Sequence, residues 1–245
     1  MIEWFLIIGI IFIILIVFYK QANEEFTILQ LEGNQLATLT TVLSEKNPIV
    51  IKQIQIPPFF TPDAIQQNKR IQSFPLAQQK TLIDVLTNAT IQTTPESSAI
   101  LARESGLQVW AEHTWFPYLT NWWFLHTMKT SANCGEHGLT KTTAPSTVIL
   151  PTSNTLDVYI MTGSQEKYFP SRWQGKFPET FTVLDTPLVG QVKYMVIKVK
   201  AGNALCLPAH WFYSIRSSDS TKPILWCLLE CHHPLSTIAA SLESQ

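Results

Sequence analysis

The chain opens on an apolar run. From Trp4 to Tyr19 no position carries a charge, Ile2 extends the run and Glu3 is its one interruption. At about 1.5 Å per residue it reaches roughly 28 Å, close to a bilayer's hydrocarbon thickness. Trp4 and Tyr19 stand at the ends, where aromatic rings prefer headgroups, and Lys20 can snorkel. The start Met-Ile-Glu has no basic segment, and Lys20 lies two before Ala22, so the pattern does not read as a cleaved leader. It is apolar all round, unlike an amphipathic core helix. The pattern predicts a single-pass transmembrane anchor over 1–20, touching the lipid bilayer through residues 2–19. Lys20 on its C-terminal flank points to a cytosol-facing soluble domain. Asn88-Ala89-Thr90 is a glycosylation triplet that would matter only on a lumenal side.

Behind the anchor, 21–33 reads as a stalk and 34–107 as a mixed helix and strand lead-in. Leu36, Leu39 and Leu43 have helical spacing with Asn34 as a possible N-cap. Ile49 to Ile56 alternates as a strand and ends at Pro57-Pro58. Thr61-Pro62-Asp63 opens a second helix with proline at its first position. Leu76 to Leu86 reads as a third. From Gln108 the character changes, with seven aromatic residues between Trp110 and Phe124. Short β-like runs follow: Thr147–Leu150, Leu156–Met161, Phe181–Leu184, Tyr194–Val199, Leu205–Leu207, Trp211–Ile215 and Ile224–Cys231. Turn signals such as Thr162-Gly163-Ser164 and Ala201-Gly202-Asn203 separate them. Many short strands so punctuated predict a mainly β sandwich or barrel with an α+β periphery. The barrel is expected over 108–235, with a tail at 236–245.

Composition narrows the functional classes. The 245 residues are 46% hydrophobic and only 14% charged, which excludes general disorder. Net charge is −1, from 17 basic and 18 acidic residues, and no basic stripe is present, so a nucleic-acid partner is not expected. Cys134, Cys206, Cys227 and Cys231 read as reduced core residues. Cys134-x-x-His137 with Cys227, Cys231 and His233 offers zinc-type donors, but its spacing matches no common zinc module. His113 and His126 flank the aromatic cluster and read as packing residues. A Gly-x-Ser-x-Gly elbow and phosphate-binding loops are absent from the sequence.

The segment Val196-Ile-Lys-Val-Lys-Ala-Gly202-Asn-Ala-Leu-Cys-Leu-Pro208-Ala-His-Trp211-Phe-Tyr-Ser-Ile215 resembles the late strands of cupin-like JmjC-type proteins, relatives of the Fe(II)/2-oxoglutarate hydroxylases. Their pattern is a strand, a Pro-Gly-Asp turn, a short apolar strand and Pro-Ala-Gly-Trp-Trp-His. Leu36 to Ile54 resembles the family's leading helix, proline and strand. The resemblance implies a double-stranded β-helix (cupin or jelly-roll) domain with flanking helices behind the transmembrane helix. In that family two imidazoles and a carboxylate hold Fe(II) and leave positions open for 2-oxoglutarate and oxygen. Matched residue by residue, Tyr213 stands where the second His belongs, His210 replaces the Gly, and counting back from Gly163 puts the first pair at Leu150 and Thr152. No His-x-Asp or His-x-Glu exists in the chain. The resemblance with its ligands lost implies a pseudoenzyme without cofactor, a binding or structural module with a pocket near Tyr213, Lys167, His210 and Trp211. Lys167 would then be a remnant of the residue that pairs the cosubstrate carboxylate. The rival expectation is an oxygenase with displaced ligands, His210 meeting His113 or His126 with Glu112 or Glu136. Compact cupin-like domains behind one anchor also resemble large DNA virus proteins, which implies a host or virion membrane.

Overall fold

The computed structural model describes residues 27–75, 80–87, 93–120, 125–219 and 224–234. Among these residues ten strands form two sheets. They are β1 (Leu29–Glu32), β2 (Ile49–Lys52), β3 (Thr127–Cys134), β4 (His137–Lys141), β5 (Ser146–Pro151), β6 (Thr155–Met161), β7 (Met195–Lys200), β8 (Ala204–Pro208), β9 (Phe212–Ser217) and β10 (Leu225–His232). The larger sheet has the order β1-β2-β8-β5-β10-β3 and the smaller β4-β9-β6-β7. From β3 onward the chain passes repeatedly from one sheet to the other, and every pairing among these eight strands is antiparallel. This is jelly-roll order. The molecule is therefore mainly β. β1 and β2, paired in parallel, extend the larger sheet past β8.

Strand alternation sorts the core into three layers. Between the sheets lie Ile149, Leu156, Val158, Ile160, Leu205, Leu207, Tyr213, Ile215 and Trp226. Behind the larger sheet, Val148, Leu150, Cys206, Cys227 and Leu229 pack against the helices. Of these, α1 is Leu39–Leu43, α2 Pro62–Gln67, α3 Lys69–Gln72, α4 Leu82–Thr87, α5 Pro95–Glu104, α6 Leu107–Thr114 and α7 Phe116–Leu119. β5 is buried at every position because it meets both layers. Outside the smaller sheet, Phe169, Phe181 and Trp173 close over Phe212, Leu139 and Met161.

Local chemistry explains several boundaries. Thr61 caps α2 by accepting from the Ala64 N–H, with Pro62 at the first position. Thr94 and Ser97 form a reciprocal capping box on α5. The expected strand from Ile49 stops at Lys52, because Gln53 takes a left-handed φ of 57°. The expected strand Phe181–Leu184 is instead a turn, in which the Asp185 carboxylate accepts from the N–H and hydroxyl of Thr182. Gly163 packs so tightly on the His210 carbonyl that a Cβ would meet it at 2.8 Å.

One part of the expected architecture is corrected. Among the described residues no helix is long and apolar enough to cross a membrane. The longest of them, α5, has 10 residues, against the roughly 20 a span requires. The apolar run at 2–19 lies outside the described residues. The transmembrane part of the fold class and the single-pass membrane localisation are accordingly withdrawn.

Candidate functional site

The β8–β9 turn carries the segment with the strongest family pattern, and Thr142 clips it. The Trp211 N–H donates to Thr142 Oγ1 (2.9 Å), and that hydroxyl donates to the Pro208 carbonyl (2.7 Å). Backbone bonds add to the clip, from Thr142 N–H to the Trp211 carbonyl (2.7 Å) and from His210 N–H to the Thr142 carbonyl (2.8 Å). His210 has φ 65°. The family pattern has glycine there, the residue for which a left-handed backbone carries no steric cost.

From this turn β9 carries Tyr213 into the barrel, where it is buried. Its ring stacks on the His137 imidazole at 5.7 Å and 16°, and His137 meets the edge of Trp226 at 5.6 Å. Trp226 Nε1–H donates to the Gly135 carbonyl (3.1 Å). His137 Nε2 lies 2.9 Å from Thr140 Oγ1, whose hydroxyl reaches the Gly138 carbonyl (3.2 Å). A β-bulge between His137 and Thr140 turns both residues toward Tyr213. Burial pushes the His137 pKa down and keeps the imidazole neutral. Burial, then the Glu230 charge, pushes the Tyr213 pKa up, so its phenol stays protonated.

The facing sheet supplies the rest. Glu230 lies in register with Thr147 on one side and Lys129 on the other. Glu230 alternates with Leu228 and Trp226 and so faces the barrel, as Thr147 does beside Ile149. Thr147 Oγ1 is fully buried and has no hydrogen-bond partner among the described residues. His232 Nε2 lies 3.5 Å from the Glu230 carboxylate. The result is an aromatic column with hydroxyl donors and one carboxylate at one end of the barrel.

The sequence-derived positions do not converge. Leu150 packs on the helix side of the larger sheet, whereas Tyr213 lies between the sheets. Thr152 donates to the Leu225 carbonyl (3.2 Å). Lys167 is exposed in the short 3-10 helix Gly163–Tyr168, its ammonium 4.8 Å from the Tyr168 ring. His210 is exposed, and only Trp211 joins Tyr213 in the barrel cluster. The donor set at Leu150, Thr152 and Tyr213 does not fit Fe(II): an alkyl chain, a neutral hydroxyl and a protonated phenol offer no anionic or imidazole ligand. Among the described residues no group of three or more His, Cys, Asp or Glu could hold a metal ion. Cys134 points to the helix layer and His137 into the barrel, so the zinc-type donors are also split. Sequence reasoning missed Thr140, Thr147 and Glu230 as site residues and weighed His137 only as a zinc-type donor. Nothing local marks them, because the sheet register alone brings them together.

No family model matches the chain, and no curated protein matches it. Among solved structures, the Drosophila melanogaster CENP-C cupin domain is similar at 11% identity, with a TM-score of 0.25, over 42% of this chain and 59% of that one. The chain therefore spans less than two thirds of that domain's length, and a likeness this distant carries no argument. These comparisons give no support to a JmjC type or to a viral source.

Proposed function

We propose that the chain is a non-catalytic, cupin-like binding module, a degenerate relative of JmjC-type hydroxylases, with its ligand site in the barrel beside Tyr213. The carrying observation is the chemistry of that end of the barrel. A protonated Tyr213 and a buried Thr147 hydroxyl, without a hydrogen-bond partner among the described residues, both turn toward the interior between the sheets. Such groups hydrogen-bond a ligand; they neither hold Fe(II) nor act as nucleophiles at neutral pH. The left-handed turn at His210, in the place of the family's glycine, supports the kinship. The sequence has no basic stripe, which favours a small or peptide ligand over nucleic acid.

The test is reconstitution of the purified full chain with Fe(II) and 2-oxoglutarate without oxygen, then desalting and metal quantification. Iron is expected well below one per chain, and admission of oxygen is expected to give no succinate. One iron per chain, with turnover abolished by chelation, would replace this reading with the oxygenase.

A further inference from the structure

β7 ends the smaller sheet, and its two sides differ. On one side Met195 to Lys200 pair with β6. On the other side no backbone bond reaches Met195 through Val199 among the described residues. The opposite margin of the same sheet is covered. There the Leu139 N–H of β4 donates to the Lys176 carbonyl (2.8 Å), and the Gly175 N–H donates to the Leu139 carbonyl (3.0 Å). In an antiparallel pair the backbone groups that do not meet the partner strand point outward, so β7 presents a template for one more strand.

The side chains along this edge select what pairs with it. Tyr194, Met195 and Val196 are large, apolar and exposed. Lys193, Lys198 and Lys200 are exposed too, and the stretch from Lys193 to Lys200 contains no Asp or Glu, in a chain of net charge −1. Parity sorts them: Ile197 and Val199 turn to the barrel, and Val196, Lys198 and Lys200 to the outer face. On β6 the one carboxylate is Asp157, in register with Lys198, and it already accepts from the Ser218 hydroxyl. Opposite charges across a ladder stabilise it and like charges directly opposite destabilise it. A second copy's β7 has no carboxylate to offer in any register, and pairing centred on Lys198 sets lysine against lysine. The complementary occupant is an acidic strand. We propose that β7 takes an extended acidic peptide of a partner protein as a fifth strand of the smaller sheet. Its carboxylates lie at alternate positions beside Lys198 and Lys200, and its apolar residues lie between them, beside Ile197 and Val199. Backbone bonds supply affinity in such strand addition, and the alternate side chains supply specificity.

The test titrates the ¹⁵N-labelled full chain with two probes, acetyl-Thr-Val-Glu-Val-Glu-Val-Thr-amide and the same peptide with lysine for both glutamates. The glutamate peptide is expected to shift β7 amides saturably and slow their hydrogen exchange. The lysine peptide should bind about tenfold more weakly or worse. Lys198→Glu combined with Lys200→Glu should reverse this preference, a gain of binding that a misfolded variant would not show. Thr147→Val inside the barrel should change neither affinity, so failure here is separable from failure of the barrel reading. No saturable shift with the glutamate peptide would overturn the proposal, as would shifts that spare β7 or equal affinity for the two peptides. A dimer in light scattering that Val196→Lys dissociates would assign the edge to a second copy and equally overturn it.

Discussion

Thr142→Val tests the clip that sets the β8–β9 turn. Valine keeps the shape and both backbone bonds to His210 and Trp211, and removes only the hydroxyl. Its bonds go with it: the acceptor of the Trp211 N–H at 2.9 Å, and the donor to the Pro208 carbonyl at 2.7 Å, shared with a longer contact to the Trp211 carbonyl at 3.1 Å. Thr142 is buried, so water does not readily replace either. Leaving a buried donor without its acceptor costs about 1–3 kcal/mol, and losing the second bond about 0.5–1.5 kcal/mol. The loss is about 2–4 kcal/mol in total. For a domain of this size that lowers the melting temperature by about 5–15 °C. Equilibrium urea denaturation is the assay, with the midpoint falling and the slope unchanged. Thr142→Ser keeps the hydroxyl and deletes a methyl, and should lose only about 1 kcal/mol. If valine is as stable as wild type, or more stable than serine, the hydroxyl does not hold the turn and the argument fails.

Three further outcomes are expected. Thr147→Val replaces a buried hydroxyl that has no partner among the described residues, so it should stabilise the fold by up to about 1–2 kcal/mol; a clear loss of stability would show that Thr147 is satisfied in solution. Lys176 and Thr182 hold the Asp185 pKa at about 2, below its ordinary 3.8, so its stabilisation is complete above 3.8 and is lost as pH falls toward 2. Asp185→Asn should flatten urea midpoints across that window, and an unchanged acid limb would refute the pairing. Burial pushes Cys134 and Cys206 up to about 12 and Cys231 to about 11. The folded protein at pH 8 should therefore resist a thiol reagent that labels all four cysteines in guanidinium, and rapid native labelling would contradict the packing.

The β-rich half was legible because its strands alternate and its turns carry Gly, Pro and Asn. β5 through β10 fall within a residue or two of the expected runs, apart from the turn at Phe181–Leu184. That segment is apolar, yet Leu184 is 99% exposed, because side-chain bonds of Asp185 and Thr182 decide its backbone. β3 escaped notice since Thr-Met-Lys-Thr-Ser-Ala-Asn-Cys buries small and hydroxyl-bearing residues where large apolar ones were sought. Of the candidate site, Tyr213 could be seen from its place in the Pro208-to-Ile215 segment. Counting back from Gly163 landed on Leu150, whose parity in β5 faces the helices while Ile149 faces the barrel, because a single glycine does not anchor register. Glu230 and Thr147 are 83 positions apart along the chain and meet only through the β10–β5 ladder.

The place of β10 has a consequence for synthesis of the chain on the ribosome. This strand fills the gap between β3 and β5 in the larger sheet, and among the described strands β3 has β10 as its one partner there. Until residue 232 has left the exit tunnel, β3 has no ladder to join and β5 presents a bare edge. The larger sheet must therefore wait, with apolar strands uncovered, for β10. Closure of the larger sheet is thus governed by distant pairings, and the open strand edges of β3 and β5 are points where other chains could pair before β10 arrives.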